Sequence, residues 1–225
     1  IRDRVMSPPS GRAALALLVL VSLACSTAGA GSAAHGREKT GEEPVARTME
    51  RDGESARPLA FKEVWGYLMK GEERELKGTE PLTDICYFSA PITPKGVLGA
   101  VPAPPVPPSA LRGRARLHIV ITELSNPALT HFCLNPSLPY RKRLVHDIVR
   151  SADRYDGVQI DFESVPSDDA KHFHGFLGEL KKALPASKTL VVAVPVRRTA
   201  IADAYEYRAI AGIVDRVIVM AYDQH

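Results

Sequence analysis

Cysteine is scarce in this chain, and the three present, Cys25, Cys86 and Cys133, are odd in number. That argues against a disulfide framework. Cys86 lies inside an apolar run and reads as a small buried side chain rather than a reactive thiol. Histidine is also sparse, with seven residues that are not clustered at metal-ligand spacing, so no metal site is expected. There is little excess of either charge: 29 basic against 26 acidic residues, a formal +3. So small and scattered a surplus gives no reason to expect a nucleic-acid partner. What the chain does have is 225 residues with 45% apolar side chains, enough for one sizeable domain with a large core.

The N-terminal stretch reads as an export signal. Met6 is followed by Arg12 and an apolar run over 13–24, shorter than the roughly twenty residues that span a bilayer. A basic flank, a short apolar segment and small residues after it mark a secretory signal. Two processing sites fit. Ser22-Leu23-Ala24-Cys25 resembles a lipobox whose cysteine is lipidated, although it lacks the usual Leu three residues before Cys25. Ala28-Gly29-Ala30 resembles an ordinary signal-peptidase site. The expected organisation is a signal peptide over 1–30, a flexible linker over 31–58 with no hydrophobic period, and a folded domain over 59–225. The expected localisation is exported, periplasmic or cell-envelope, with a lipid anchor at Cys25 as the one contact with a membrane.

Beyond residue 61, short β-branched or aromatic runs at 64–67, 84–89, 117–122, 157–162, 190–194 and 216–221 alternate with longer amphipathic stretches. Over 140–155, Leu144, Ile148 and Ala152 recur at helical spacing, and over 167–184 Phe173, Phe176, Leu177 and Leu180 do the same. Ser167 with Asp168 and Asp169 predicts a helix cap and an acidic first turn. Strands apolar on both faces, alternating with helices, predict a parallel sheet with right-handed crossovers. An open doubly wound sheet and a closed barrel both fit that alternation. No Gly-rich turn follows an early strand, and polar residues gather at the C-terminal ends of several strands, as on a barrel rim. The Pro-rich stretch 102–108 reads as a stiff surface loop before the third strand.

One strand carries most of the chemistry. In Asp156-Gly157-Val158-Gln159-Ile160-Asp161-Phe162-Glu163, alternate residues share a face. Val158, Ile160 and Phe162 are expected to meet the helices, and Gln159, Asp161 and Glu163 the barrel axis and mouth. Polar groups in a row on a buried face are costly unless they bond each other or a ligand. Two carboxylates two strand residues apart sit about 6–7 Å apart at Cβ and resist ionising together, so one keeps its proton to higher pH. Glu163, nearer the open end, is the natural acid and Asp161 its partner.

This string resembles the D-x-x-D-x-D-x-E signature on the fourth barrel strand of glycoside hydrolase family 18, the chitinase-like family. Met220-Ala221-Tyr222-Asp223 is similar to the family's M-x-Y-D signature on its sixth strand, with one strand between the two as expected. Residues 82–89 resemble its second strand, and the resemblance covers about 60–225. It implies an α/β fold, a (β/α)8 TIM barrel, here read as truncated after the sixth strand. It implies that Glu163 is the general acid, that Asp161 pairs with it and orients a substrate acetamido group, and that Tyr222 bonds the acetamido oxygen. Gln159, Met220 and Asp223 would contact the sugar, while Asp156 and Gly157 would be structural members of the signature. No cofactor is implied. The implied substrate is an N-acetylglucosamine-containing polysaccharide, and a monomer is expected.

Two departures point to the cell-wall and spore-cortex branch of the family. Gln159 stands where most chitinases have Asp, and Phe162 rather than Trp precedes the Glu. The third-strand S-x-G-G signature is absent, with Ile121-Thr122-Glu123-Leu124-Ser125 in its place. Glu123 and Asn126 either shape the cleft or cap a loop. Catalytically silent, lectin-like relatives are the rival reading. They usually lose the acid at the Glu163 position, which this chain retains.

Overall fold

A computed structural model describes residues 61–197 and 202–221. The expected signal peptide, the lipidation site at Cys25, the linker, Tyr222 and Asp223 lie outside the described residues.

Six strands form one sheet: β1 (Trp65–Met69), β2 (Asp84–Pro91), β3 (Arg116–Glu123), β4 (Gly157–Phe162), β5 (Thr189–Pro195) and β6 (Arg216–Met220). They pair in sequence order, every pair parallel. A doubly wound sheet reverses its strand order at a switch point; this one never reverses, and the order is that of a barrel wall. Helices α1 (Pro127–Leu134), α2 (Pro139–Ala152), α3 (Ala170–Ala183) and α4 (Tyr207–Ala211) fill the later crossovers. The β1–β2 connection has only a 3-10 turn at Glu73–Glu75, and the Pro-rich β2–β3 connection has no helix. The fixed φ and missing N–H of proline explain its extended course.

The two faces of the sheet bury different things. Outward residues such as Val158, Ile160 and Phe162 join Phe173, Phe176 and Leu180 in the large core beneath the helices. The Phe162 ring stacks on Phe176 at 5.8 Å and Phe173 at 6.3 Å. Inward residues Trp65, Cys86, Val120, Val191 and Ile218 form a second, smaller cluster with Tyr67 and Phe88. Cys86 is fully buried there, as its apolar setting predicts.

The sheet is curled, and its N-terminal ends meet across the axis. The Arg216 guanidinium at the start of β6 donates to both carboxylate oxygens of Glu63, just before β1, at 2.6 and 2.9 Å. Trp65 Nε1 donates to the same carboxylate at 3.1 Å. Beside this pair, Asp84 binds Arg116 at 2.8 Å and His118 Nε2 at 2.7 Å. Charges facing a barrel interior are tolerated because each finds a partner.

Outside the sheet, one buried guanidinium ties three helices together. Arg141 of α2 makes paired bonds to Glu179 of α3 at 2.9 and 2.8 Å, and Nη1 donates to the Leu134 carbonyl that ends α1 at 3.1 Å. Removing it strands a helix-end carbonyl and breaks a fork-shaped pair that lysine cannot reproduce. Arg141→Ala and Arg141→Lys are both expected to lower stability by about 2 kcal/mol, measurable by urea unfolding.

The predicted cap at Ser167 is corrected. Residues Ser167–Asp169 form a separate 3-10 turn, and α3 starts at Ala170 with no side-chain cap bond. The Asp169 carboxylate is turned away to His131 Nδ1 at 2.9 Å and His172 Nδ1 at 2.9 Å. Its local capping preference yields to a contact with α1, 38 residues away in sequence.

Candidate active site

The polar face of β4 points to the barrel interior, as its alternation predicts. Gln159 and Asp161 are buried, at 0% and 4% exposure, whereas Glu163, one residue beyond the strand end, is exposed. The site is therefore graded from a dry interior to a wet rim along three alternate residues.

Gln159 finds a partner across the barrel. Its Nε2 donates to the Tyr67 hydroxyl of β1 at 2.5 Å, while its Oε1 has no partner among the described residues. Asp161 Oδ1 is likewise buried with no partner among them. Two unmet acceptors on one interior face are what a donor-bearing ligand, or water, would satisfy.

Asp161 is the carboxyl whose proton affinity is raised. Burial pushes it from 3.8 to about 7, and the nearby Glu163 charge adds to the rise. The sequence pattern assigns the acid role to Glu163. The structure places the group held protonated by burial one step deeper, because desolvation acts most strongly on the buried member of the pair. Near neutral pH the Asp161 carboxyl therefore still holds its proton in part, beside Glu163.

Backbone contacts with β3 hold the end of β4. Glu163 N donates to the Glu123 carbonyl at 2.9 Å, and Ser164 Oγ to the Leu124 carbonyl at 3.0 Å. The Glu123 side chain faces its own loop. Its carboxylate accepts from Asn126 N at 2.8 Å and Thr130 Oγ1 at 2.7 Å. Asn126 Oδ1 accepts from Leu129 N at 3.0 Å, the N-cap bond of α1. Of the two roles open for Glu123 and Asn126, loop capping is the one seen.

Asp156 and Gly157 anchor the strand's other end. Asp156 Oδ2 accepts from Leu117 N at 2.8 Å, and its backbone N–H and carbonyl bond Leu117 and Thr189. A Cβ on Gly157 would lie 2.4 Å from His118 Nδ1 and 2.5 Å from the Thr189 carbonyl oxygen. Neither neighbour can yield, since one is a fully buried ring and the other backbone. Gly157→Ala is expected to destabilise the protein by about 3 kcal/mol, seen as a lowered urea midpoint.

Met220 is buried at the end of β6, opposite Pro195 of β5. Tyr67 is the interior residue that the sequence reading missed. It lay inside the first predicted strand, but its link to Gln159 spans 92 residues, and only the barrel register brings the two together. Among the described residues, no group of His, Cys, Asp and Glu side chains is arranged to hold a metal ion.

Comparison with known proteins agrees with this architecture. Residues 140–225 match the model of the family described as glycosyl hydrolases family 18. The sporulation-specific glycosylase YdhD of Bacillus subtilis is 38% identical over 85 residues, covering 36% of this chain and 20% of that protein. The cortical fragment-lytic enzyme of Bacillus anthracis is 27% identical over 154 residues, covering 63% of this chain and 36% of that enzyme. The crystal structure of the Bacillus cereus spore cortex-lytic enzyme SleL superposes with a TM-score of 0.59 at 24% identity, covering 71% of this chain and 41% of that one. The chain thus spans less than half the length of each of these relatives. The fold is that of the first six strands of a (β/α)8 barrel curled into a partial wall, and over residues 140–225 the chain is similar to glycosyl hydrolases family 18.

Proposed function

We propose that this protein is an exported glycosidase that cleaves β-1,4 linkages beside N-acetylglucosamine, with cell-wall peptidoglycan ahead of chitin as its polymer. The observation that carries the reading is the graded carboxyl pair: an exposed Glu163 directly above a buried Asp161 whose proton is held to about pH 7. Glu163 can reach a glycosidic oxygen in the cleft, and Asp161 supplies the second member of a pair that retains a proton at working pH. The retained acid at Glu163 favours an enzyme over a sugar-binding relative.

The resemblance to family 18 implies a retaining mechanism without an enzyme nucleophile, and the buried Asp161 fits it. A buried carboxyl that keeps its proton is a poor attacking group. In the proposed route the substrate's own 2-acetamido oxygen attacks its anomeric carbon as Glu163 protonates the departing oxygen. The C–O bond breaks, and an oxazolinium-like intermediate forms. Glu163, now ionised, then takes a proton from the water that opens the intermediate, and the anomeric configuration is retained. Asp161, ionised once its proton has passed to Glu163 and on to the departing oxygen, orients the acetamido group and balances its developing positive charge. Tyr222 and Asp223 are assigned to the same sugar by the motif that they share with Met220. Names of relatives that act on spore cortex, together with Gln159 and Phe162, support peptidoglycan as the polymer. The signal at 1–30 and the linker at 31–58 support an envelope location, with lipidation at Cys25 the anchored form.

The test is incubation of the protein with purified peptidoglycan and with N-acetylglucosamine oligomers, products being read by mass spectrometry. New reducing-end sugars are expected from peptidoglycan at the higher rate. Intact polymer in both reactions would contradict the proposal.

Gln159 gives a second, separable expectation. A carboxyl at this position would add negative charge beside Asp161 and raise its proton affinity further. Gln159→Asp is therefore expected to move the alkaline limb of the kcat/KM profile upward by about one pH unit. An unmoved limb would show that Gln159 does not sense the pair.

A further inference from the structure

The turn that carries Glu163 leaves β4 at Phe162 and is buried again at Val165. One side chain from a distant part of the chain spans it. The hydroxyl of Tyr205, in the connection between β5 and α4, donates to the Phe162 carbonyl at 2.6 Å. The same oxygen accepts from Val165 N at 3.1 Å. A single hydroxyl thus bonds the backbone on both flanks of the Glu163-Ser164 pair.

The Tyr205 ring is itself fixed. It is 5% exposed and packs edge-on against Phe173 of α3, with centroids 5.9 Å apart at 73°. Its backbone N–H donates to Asp203 Oδ1 at 2.7 Å, and Asp203 is paired with Arg197. Burial pushes its phenol up to about 12, so the hydroxyl stays protonated and remains a donor across the working pH range. On the opposite side, β3 holds the same turn through the Glu123 and Leu124 carbonyls. The acid is clamped between two struts, one of backbone and one of side chain.

We infer that Tyr205 is a positioning residue for catalysis, its hydroxyl fixing the Phe162–Val165 turn so that the Glu163 carboxyl is held over Asp161. The role rests on the reading of Glu163 as the proton donor. Precise placement of an acid matters because an error on the order of 1 Å can cost about 10²-fold in rate. Ground-state binding of the sugar does not pass through this hydroxyl, so the effect belongs to kcat. Loosening the turn also moves the Glu163 charge relative to Asp161 and admits water, which lowers the proton affinity of the buried carboxyl.

The experiment is a double-mutant cycle of Tyr205→Phe with Glu163→Gln on a soluble N-acetylglucosamine oligomer. In the parent, Tyr205→Phe is expected to lower kcat about 10-fold with KM within about twofold, and to move the alkaline limb down by about half a pH unit. In the Glu163→Gln background it is expected to change the residual rate by less than about twofold, because the group it positions is gone. Unfolding midpoints are measured on all four proteins. Should Tyr205→Phe prove too unstable to assay, Ser164→Ala removes the hydroxyl bond of the β3 strut while its backbone bond remains, and the same kcat-only loss is expected at smaller size. Equal losses in both backgrounds, a loss in KM alone, or no loss would overturn the inference. A Glu163→Gln protein as active as the parent would instead overturn the assignment of the acid, a result distinct from any of these.

Discussion

Glu163→Gln is expected to reduce hydrolysis of N-acetylglucosamine oligomers by about 10²–10⁴-fold while the fold is preserved. The amide matches the carboxyl in size and cannot deliver a proton. The side chain is exposed at the barrel mouth, and the Glu163 backbone N–H helps to hold the strand end. Substitution there should therefore alter stability by no more than about 0.5 kcal/mol. Initial rates and urea unfolding on the same samples check both halves. Lost activity with a lowered midpoint would mean a structural carboxylate, and unchanged activity would remove Glu163 from the mechanism.

Asp161→Asn should make the protein slower and, at neutral pH, more stable. In the unfolded chain Asp161 ionises through 3.8, but in the folded chain it keeps its proton until about 7. Between those values the unfolded state releases a proton that the folded state retains. The carboxyl thus becomes increasingly unfavourable to folding as pH rises from 4 to 7, and its cost is constant above that. A rise from 3.8 to about 7 corresponds to a cost of about 4 kcal/mol. Asparagine has no such titration. The stability difference between variant and parent should be near zero at pH 4 and a few kcal/mol in the variant's favour above pH 7. Activity should fall by about 10²-fold or more, because the pair can no longer share a proton. Urea unfolding at pH 4, 5.5 and 7.5 measures the trend. Parallel pH dependences for the two proteins would show that Asp161 is solvated after all.

Destabilising residues at a functional site are common. They explain why one part of the sequence was so legible. The β4 string places polar side chains where a buried strand should have apolar ones, a costly pattern that a site would explain. The alternation of its faces and its ends at Gly157 and Phe162 were readable directly, since period-two patterning decides which face each residue takes. Sequence order of the strands was also readable, because alternating strand and helix admits few topologies.

Contacts between distant segments were not legible. Tyr67 reaches Gln159 across 92 residues and Tyr205 reaches Phe162 across 43, and neither pairing can be inferred without the register. The short α4 and the eight-residue α1 carry too few turns for apolar periodicity to declare them. At Ser167 the local capping signal was real, yet the two histidines that meet Asp169 decided the outcome. That Asp161 is the more deeply buried carboxyl of the pair was not legible either, because sequence shows which carboxyls are close but not how deeply each is buried.

The substrate-assisted mechanism is tested most directly by offering the protein two oligomers of equal length. One is fully N-acetylated, and the other carries a free amine at the sugar preceding the scissile bond. The expected result is cleavage of the acetylated oligomer, with the anomeric configuration retained in the first product, and no cleavage of the other at that bond. Comparable cleavage of both would contradict the account, because the nucleophile would then have to come from the protein.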